Sequence, residues 1–205
     1  MRFVGTLANA RLKVAVVILC GGRSSRMGRD KATVELGGRR LLDLMKDLAE
    51  RVGDAVILSG SGADYDGLHD DEPGLGPLGG LKTAVRALQR AQPECTHFLV
   101  LPIDMPFLKA ATLGNLIARG AQARAACFTE SELPLLIQNN EGVAETLDEL
   151  LRSEEARGRS VGAFIRAVGG VRLAPPEVSG TFEFRNLNTP RELEEARNEC
   201  ENVGR

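Results

Sequence analysis

The chain has 205 residues, 43% hydrophobic and 26% charged, with 26 Lys plus Arg against 28 Asp plus Glu and a net charge of -2. This is the composition of an ordinary globular protein, and a chain this long buries roughly 70% of its unfolded surface as a single domain, 1–205, without disulfides or a structural metal. Near-neutral charge, 4% aromatics and no Trp argue against a long nucleic acid or a base-stacking single strand as partner.

Arg11 and Lys13 precede the apolar run Val14 to Leu19 and then Cys20, loosely like a bacterial lipoprotein signal. The run is too short for one, and bulky Leu19 stands where a small residue should precede the cysteine. Its continuous β-branched character predicts instead a parallel strand covered on both faces. A Gly-rich polar loop follows. Leu41, Leu44, Met45, Leu48 and Val52 then recur at helical spacing, and Ala55 to Leu58 gives the next short buried strand. After a Gly/Pro-rich stretch that delivers Pro77 to a first helical turn, Leu78, Leu81, Val85 and Leu88 line a helix, and Phe98 to Leu101 is a third buried strand.

A helix near 110–119, a strand at 123–128 and an antiparallel strand at 133–137 come next. Helices near 142–155 and 160–168 and a weak strand near 182–185 follow. The last helix is the best signalled, with Thr189 as N-cap, Pro190 at the first position and Glu192 completing a capping box. The alternation predicts an α/β fold of three layers: a mostly parallel, mixed sheet with helices on both faces and ligands at the carboxyl ends of its strands. No 18-residue apolar stretch exists to span a membrane. Cys20, Cys95, Cys127 and Cys200 are widely spaced and lack a C-x-x-C pair, which suggests a reducing, cytoplasmic setting. His69 and His97 share no motif and read as structural.

The first carboxyl-end loop reads Leu19-Cys-Gly-Gly-Arg-Ser-Ser-Arg-Met-Gly-Arg-Asp-Lys31. Gly21 and Gly22 remove side chains where backbone amides could approach phosphate, and Arg23, Arg26, Arg29 and Lys31 crowd positive charge on the same turn. A solvated basic loop is the plainer alternative. The P-loop pattern fails from either glycine, and Gly74, Gly76 and Gly79 spell G-x-G-x-x-G without a strand ahead of them. Asp104, in Leu101-Pro-Ile-Asp-Met-Pro106, suits a hard cation such as magnesium as well as it suits capping the turn before Pro106. Its spacing alone leaves both open.

The loop closely resembles the L-x-G-G-x-S-x-R-M-G-x-D-K signature of nucleotidyltransferases that activate cofactor and sugar phosphates. Downstream, Asp70 with Pro73 to Gly80, the Pro102 to Pro106 turn, Glu132-Leu-Pro134 and Asn186-Leu-Asn-Thr-Pro190 resemble the molybdenum cofactor guanylyltransferase branch. The resemblance runs from about Val14 to the last helix and leaves residues 1–13 as a flexible extension without counterpart. It implies the Rossmann-like nucleotidyltransferase fold and transfer of GMP from GTP to the terminal phosphate of molybdopterin, with release of pyrophosphate. It also implies passing contacts with the proteins that deliver or collect the cofactor.

By the same resemblance, Leu19, Cys20, Gly21 and Gly22 meet the nucleotide through backbone groups, Arg26 and Lys31 carry phosphate charge, Asp70 holds the nucleotide, and Asp104 holds Mg2+. Ser59 stands where the family often has Asn, so a base or ribose contact there is open. Two other readings share the fold: a cytidylyltransferase or one acting on another phosphorylated acceptor, and a non-catalytic nucleotide-binding partner protein.

Overall fold

The computed structural model describes residues 12–21, 30–60, 62, 65–69, 75–152, 159–177 and 181–203. Strands β1 (Val14–Leu19), β4 (Ala55–Ser59), β5 (His97–Pro102), β6 (Ala125–Phe128), β7 (Ser131–Gln138) and β8 (Val171–Leu173) form one sheet in the order β4-β1-β5-β7-β6-β8. Only β7 runs against its neighbours β5 and β6, so the sheet is mixed but mostly parallel. Between β1 and β4, strands β2 (Glu35–Leu36) and β3 (Arg39–Arg40) make a small separate hairpin.

Alternate residues of β1 feed two cores. Val14, Val16 and Ile18 pack with helices α1 (Leu41–Val52), α3 (Ala110–Gly120) and α6 (Pro190–Val203). Ala15, Val17 and Leu19 pack with α2 (Gly76–Ala91), α4 (Glu141–Leu151) and α5 (Val161–Ala167). All six β1 residues are buried, which accounts for the uninterrupted apolar run: a strand with helices on both faces has no solvent side to make polar. Each Val, Ile or Leu among them contributes about 1.5–3 kcal/mol on burial.

The chain leaves β1 through α1 to β4 on one side, then returns through α2 on the opposite face to β5 on the other side of β1. The connections diverge at the carboxyl ends of β1 and β5, which is where open α/β sheets leave a crevice.

Most expected elements are present, with three differences. The strand expected near 182–185 is a 3-10 turn, Thr181–Phe184, and the sheet edge beside β6 is taken by β8. The Phe-Glu-Phe alternation there serves another end. Glu183 is buried, accepts from Thr112 Oγ1 at 2.6 Å and pairs with Lys109 at 2.8 Å, while Phe184 meets Phe128 edge-on at 5.4 Å. β8 escapes a hydropathy reading because Val171 and Arg172 are exposed. β4, expected to be fully buried, is an edge strand whose first four residues are half-buried.

The β2/β3 hairpin turns on Gly37 and Gly38 (φ +57° and +76°), the paired left-handed residues that a tight two-residue turn requires. His97 is structural: Nε2 meets the Ala121 carbonyl at 3.0 Å and Nδ1 meets Thr96 Oγ1 at 2.9 Å. Burial holds its pKa below the usual histidine range, against the opposing pull of the Ala121 bond. The capping box closes both ways, with Glu192 N–H donating to Thr189 Oγ1 at 3.2 Å and Thr189 N–H donating to Glu192 Oε2 at 2.9 Å. No helix among the described residues is long and apolar enough to cross a membrane.

Candidate nucleotide site

Strands β1 and β5 end level, Leu19 opposite Pro102, and the Ile103 N–H donates to the Leu19 carbonyl at 3.2 Å. The loop that leaves β1 is then tied to the end of β4: Cys20 and Gly21 donate their N–H groups to the Ser59 carbonyl at 2.8 and 3.2 Å. Gly60 makes this close approach feasible. Its φ is +95°, and a Cβ on it would lie 2.7 Å from the Gly21 nitrogen, whereas a Cβ on Gly21 would meet only ordinary contacts.

These strand ends floor a cleft of about 510 Å3, lined on this side by Leu19, Cys20, Gly21, Lys31, Pro77 and Asp104. The size is that of a small-molecule site.

Lys31 reaches the cleft from a 3-10 turn, Lys31–Thr33, fixed at its start by Asp30. The Asp30 carboxylate accepts the Ala32 N–H at 2.9 Å, and its carbonyl accepts the Thr33 hydroxyl at 2.9 Å. The Lys31 ammonium donates to Asp104 Oδ2 and to Asn188 Oδ1, both at 2.6 Å. Lys31 and Asp104 are each 16% exposed, so the pair is sheltered yet open to a ligand. The segment that carries Asn188 is pinned beside it, since Leu187 donates its N–H to the Asp104 carbonyl at 2.8 Å and is itself buried.

The far side of the cleft has a different character. Ser131, Glu132, Leu133, Arg159, Ser160 and Val161 line it. Glu132 faces Arg172 at 3.5 Å and rests against the first turn of α5, where a Cβ on Gly162 would overlap its carboxylate. The cleft thus offers a cation, a hard carboxylate and backbone at one end, and an acid and a cation of its own at the other. Such a layout can hold a phosphorylated ligand at the first end and a second molecule at the second.

Of the residues singled out by sequence, Leu19, Cys20, Gly21, Lys31 and Asp104 meet in this cleft. Ser59 sits behind it with a buried side chain and serves through its carbonyl. Gly22, Arg26 and Asp70 lie outside the described residues. Cys20 is buried, and desolvation, reinforced by Asp30, pushes its thiol up to about 12, so it is not a nucleophile. Sequence reasoning assigned no role to Asn188, Glu132 or Arg159. The first two stand in quoted motifs, which was the available signal, while Arg159 carries none.

Comparison with known proteins agrees with the fold and identifies the family. Residues 16–168 match the model of the MobA-like NTP transferase domain. The chain is 39% identical over 175 residues to a molybdenum cofactor guanylyltransferase of Xanthomonas euvesicatoria pv. vesicatoria, covering 85% of this chain and 89% of that one. It is 36% identical to another from Sinorhizobium fredii, covering 88% of both. Among solved structures, molybdopterin-guanine dinucleotide biosynthesis protein A from Archaeoglobus fulgidus superposes with a TM-score of 0.71 at 21% identity, over 92% of this chain and 99% of that one.

Proposed function

The chain belongs to the family of MobA-like NTP transferase domains and is a nucleotidyltransferase, and from that premise we propose that it transfers GMP from GTP to the terminal phosphate of molybdopterin. The observation that carries the reading is the Lys31 ammonium held at 2.6 Å from both Asp104 and Asn188 where β1 and β5 end. A terminal phosphate oxygen of the acceptor attacks the α-phosphorus of GTP. The bond from that phosphorus to the α–β bridging oxygen breaks, and pyrophosphate leaves with its electron pair.

Such a transfer asks the protein to align the reactants and to neutralise charge, and it needs no covalent nucleophile. Lys31 gives up Asp104 for the nucleotide's phosphate oxygens and keeps Asn188 as its anchor. Arg26, from the signature alone, would add a second cation, Asp70 a contact to the nucleotide, and Gly22 a further backbone contact. Gly21, whose N–H is held by the Ser59 carbonyl, leaves room for a ligand beside its backbone.

Asp104 fits Mg2+ of the kind that arrives with a nucleotide. It offers one hard carboxylate, and no group of three or more His, Cys, Asp or Glu able to hold a metal exists among the described residues. A cation that keeps phosphates and water for most of its shell needs no more. When bound, magnesium supplies charge neutralisation on the phosphates. Asp104 would hold it, and Lys31 would balance what negative charge remains. A GTP donor and the unpaired Cys20, Cys95 and Cys127 support a cytoplasmic setting.

The test is pyrophosphate release and dinucleotide formation on mixing the protein with molybdopterin, Mg2+ and each of GTP and CTP. Turnover with GTP, abolished by a chelator, is expected. A preference for CTP would overturn the guanylyl assignment, and no release with any nucleotide would overturn the transfer itself.

A further inference from the structure

Asn188 lies beyond the stretch that matches the family model, yet it supplies one of the hydrogen bonds that orient the Lys31 ammonium. What fixes Asn188 is therefore a question about the site. Leu187 and Leu193 are both buried and anchor the chain on either side. Between them, one carboxylate oxygen, Glu192 Oε2, accepts two successive N–H groups, that of Asn188 at 2.7 Å and that of Thr189 at 2.9 Å. An N-terminal capping box needs only the second.

We propose that Glu192 is a positioning residue for Lys31: by holding the backbone on both sides of the Asn188 α-carbon, it leaves that side chain only its own rotamers and keeps Oδ1 on the ammonium. The relay runs from Glu192 through the Asn188 backbone to the Asn188 amide oxygen and then to Lys31 Nζ. Glu192 is not among the residues that line the cleft and acts through Asn188. The relay matters most at the moment Lys31 exchanges Asp104 for phosphate, when Asn188 is the contact that remains. A charged acceptor makes the stronger, shorter bond to N–H groups, which suits an anchor that must persist while its neighbours change. This inference rests on the reading of Lys31 given above.

Two readouts separate the inference from that reading. The first is brief labelling of the unliganded full-length protein with acetic anhydride and peptide mass spectrometry at Lys31, which needs no turnover. The second is kcat/KM for GTP well below Tm. Glu192→Ala should raise Lys31 labelling at least threefold and lower kcat/KM about tenfold, Glu192→Gln should restore most of both, and Asn188→Ala with Glu192→Ala together should be no worse than Asn188→Ala alone.

Asp148→Asn, between α2 and α4 and outside the cleft lining, supplies a loss of Tm of another origin and should change neither readout. If Glu192→Ala does not fold, Glu192→Ser replaces it, its side chain being too short to reach the Asn188 N–H. Labelling and kcat/KM that merely follow Tm in all variants, or an additive double variant, would overturn the positioning role. A wild-type protein that transfers no nucleotide but shows Glu192-dependent labelling would overturn the proposed function and leave the relay standing.

Discussion

Two clusters in this molecule use the same chemistry for different ends. Between α2 and α4, Asp148 pairs with Lys82 at 3.2 Å and, more tightly, with Arg86. In the cleft, Lys31 pairs with Asp104 at 2.6 Å. The Asp148 carboxylate is held by two cations from one helix, in the seam between two contacting helices. Lys31 has a neutral second partner, Asn188, and faces open volume. An ion pair between packed elements is a fastener, and one at the mouth of a cleft is a pair of charges awaiting their ligands. A phosphate and a cation arriving together can satisfy both halves of the second pair, which nothing can do for the first.

The contrast breaks most sharply under substitution. Lys31→Ala or Asp104→Asn should lower kcat by about two to three orders of magnitude, the usual effect of losing one preorganised electrostatic contact. Tm should move by no more than a few degrees. Loss of fold in either variant, or turnover close to wild type, would erase the distinction. Asp148→Ala should do the opposite, costing about 1 kcal/mol in urea unfolding by removing the acceptor of two cations, one of them partly exposed, while kcat stays within about twofold.

A smaller effect sharpens the comparison by pH. Burial would raise the Asp148 pKa, but hydrogen bonds and charge from Lys82 and Arg86 outweigh it and the net shift is downward. Glu192 is also lowered, because the Asn188 and Thr189 bonds overcome its burial. A lowered carboxylate contributes stability that is fully present above its unfolded value, near 4, and is lost as pH falls through the folded one. The Tm gap between wild type and Asp148→Asn should therefore be widest at neutral pH and close as pH drops below about 4. A gap that widens on acidification would contradict the sign.

The smallest expected effect concerns the thiols. Cys20, Cys95 and Cys127 are buried and raised in pKa, in each case first by desolvation. In the native protein at pH 8 they should react with iodoacetamide at under about a tenth of the rate of a free thiol. Fast alkylation of Cys20 would show the first cleft loop to be far more open than its burial implies.

The sheet was legible because burial on both faces leaves an uninterrupted apolar run, as in β1 and β5, and the last helix because Thr189, Pro190 and Glu192 carry their own geometry. β8 was not, since an edge strand with Val171 and Arg172 exposed has no pattern to read. The turn at 181–184 imitated a strand because Glu183, the polar member of an alternating triplet, is the one that is buried. In the cleft, Lys31 and Asp104 were found from local motifs, one after each of two strands. The Asn188 contact was not. It joins residues at opposite ends of the chain, and no local signal encodes which amide meets which ammonium.

The contact of Gly60 with Gly21 has a consequence for how this protein tolerates mutation. Where two backbones touch without intervening side chains, the form of the floor is set by the backbone itself, and the buried side chains at positions 20 and 59 can differ from their usual counterparts only within the small space they fill. The freedom at those positions is secured by its absence at Gly60. A saturation library across this loop should return several small residues at positions 20 and 59 and glycine alone at 60.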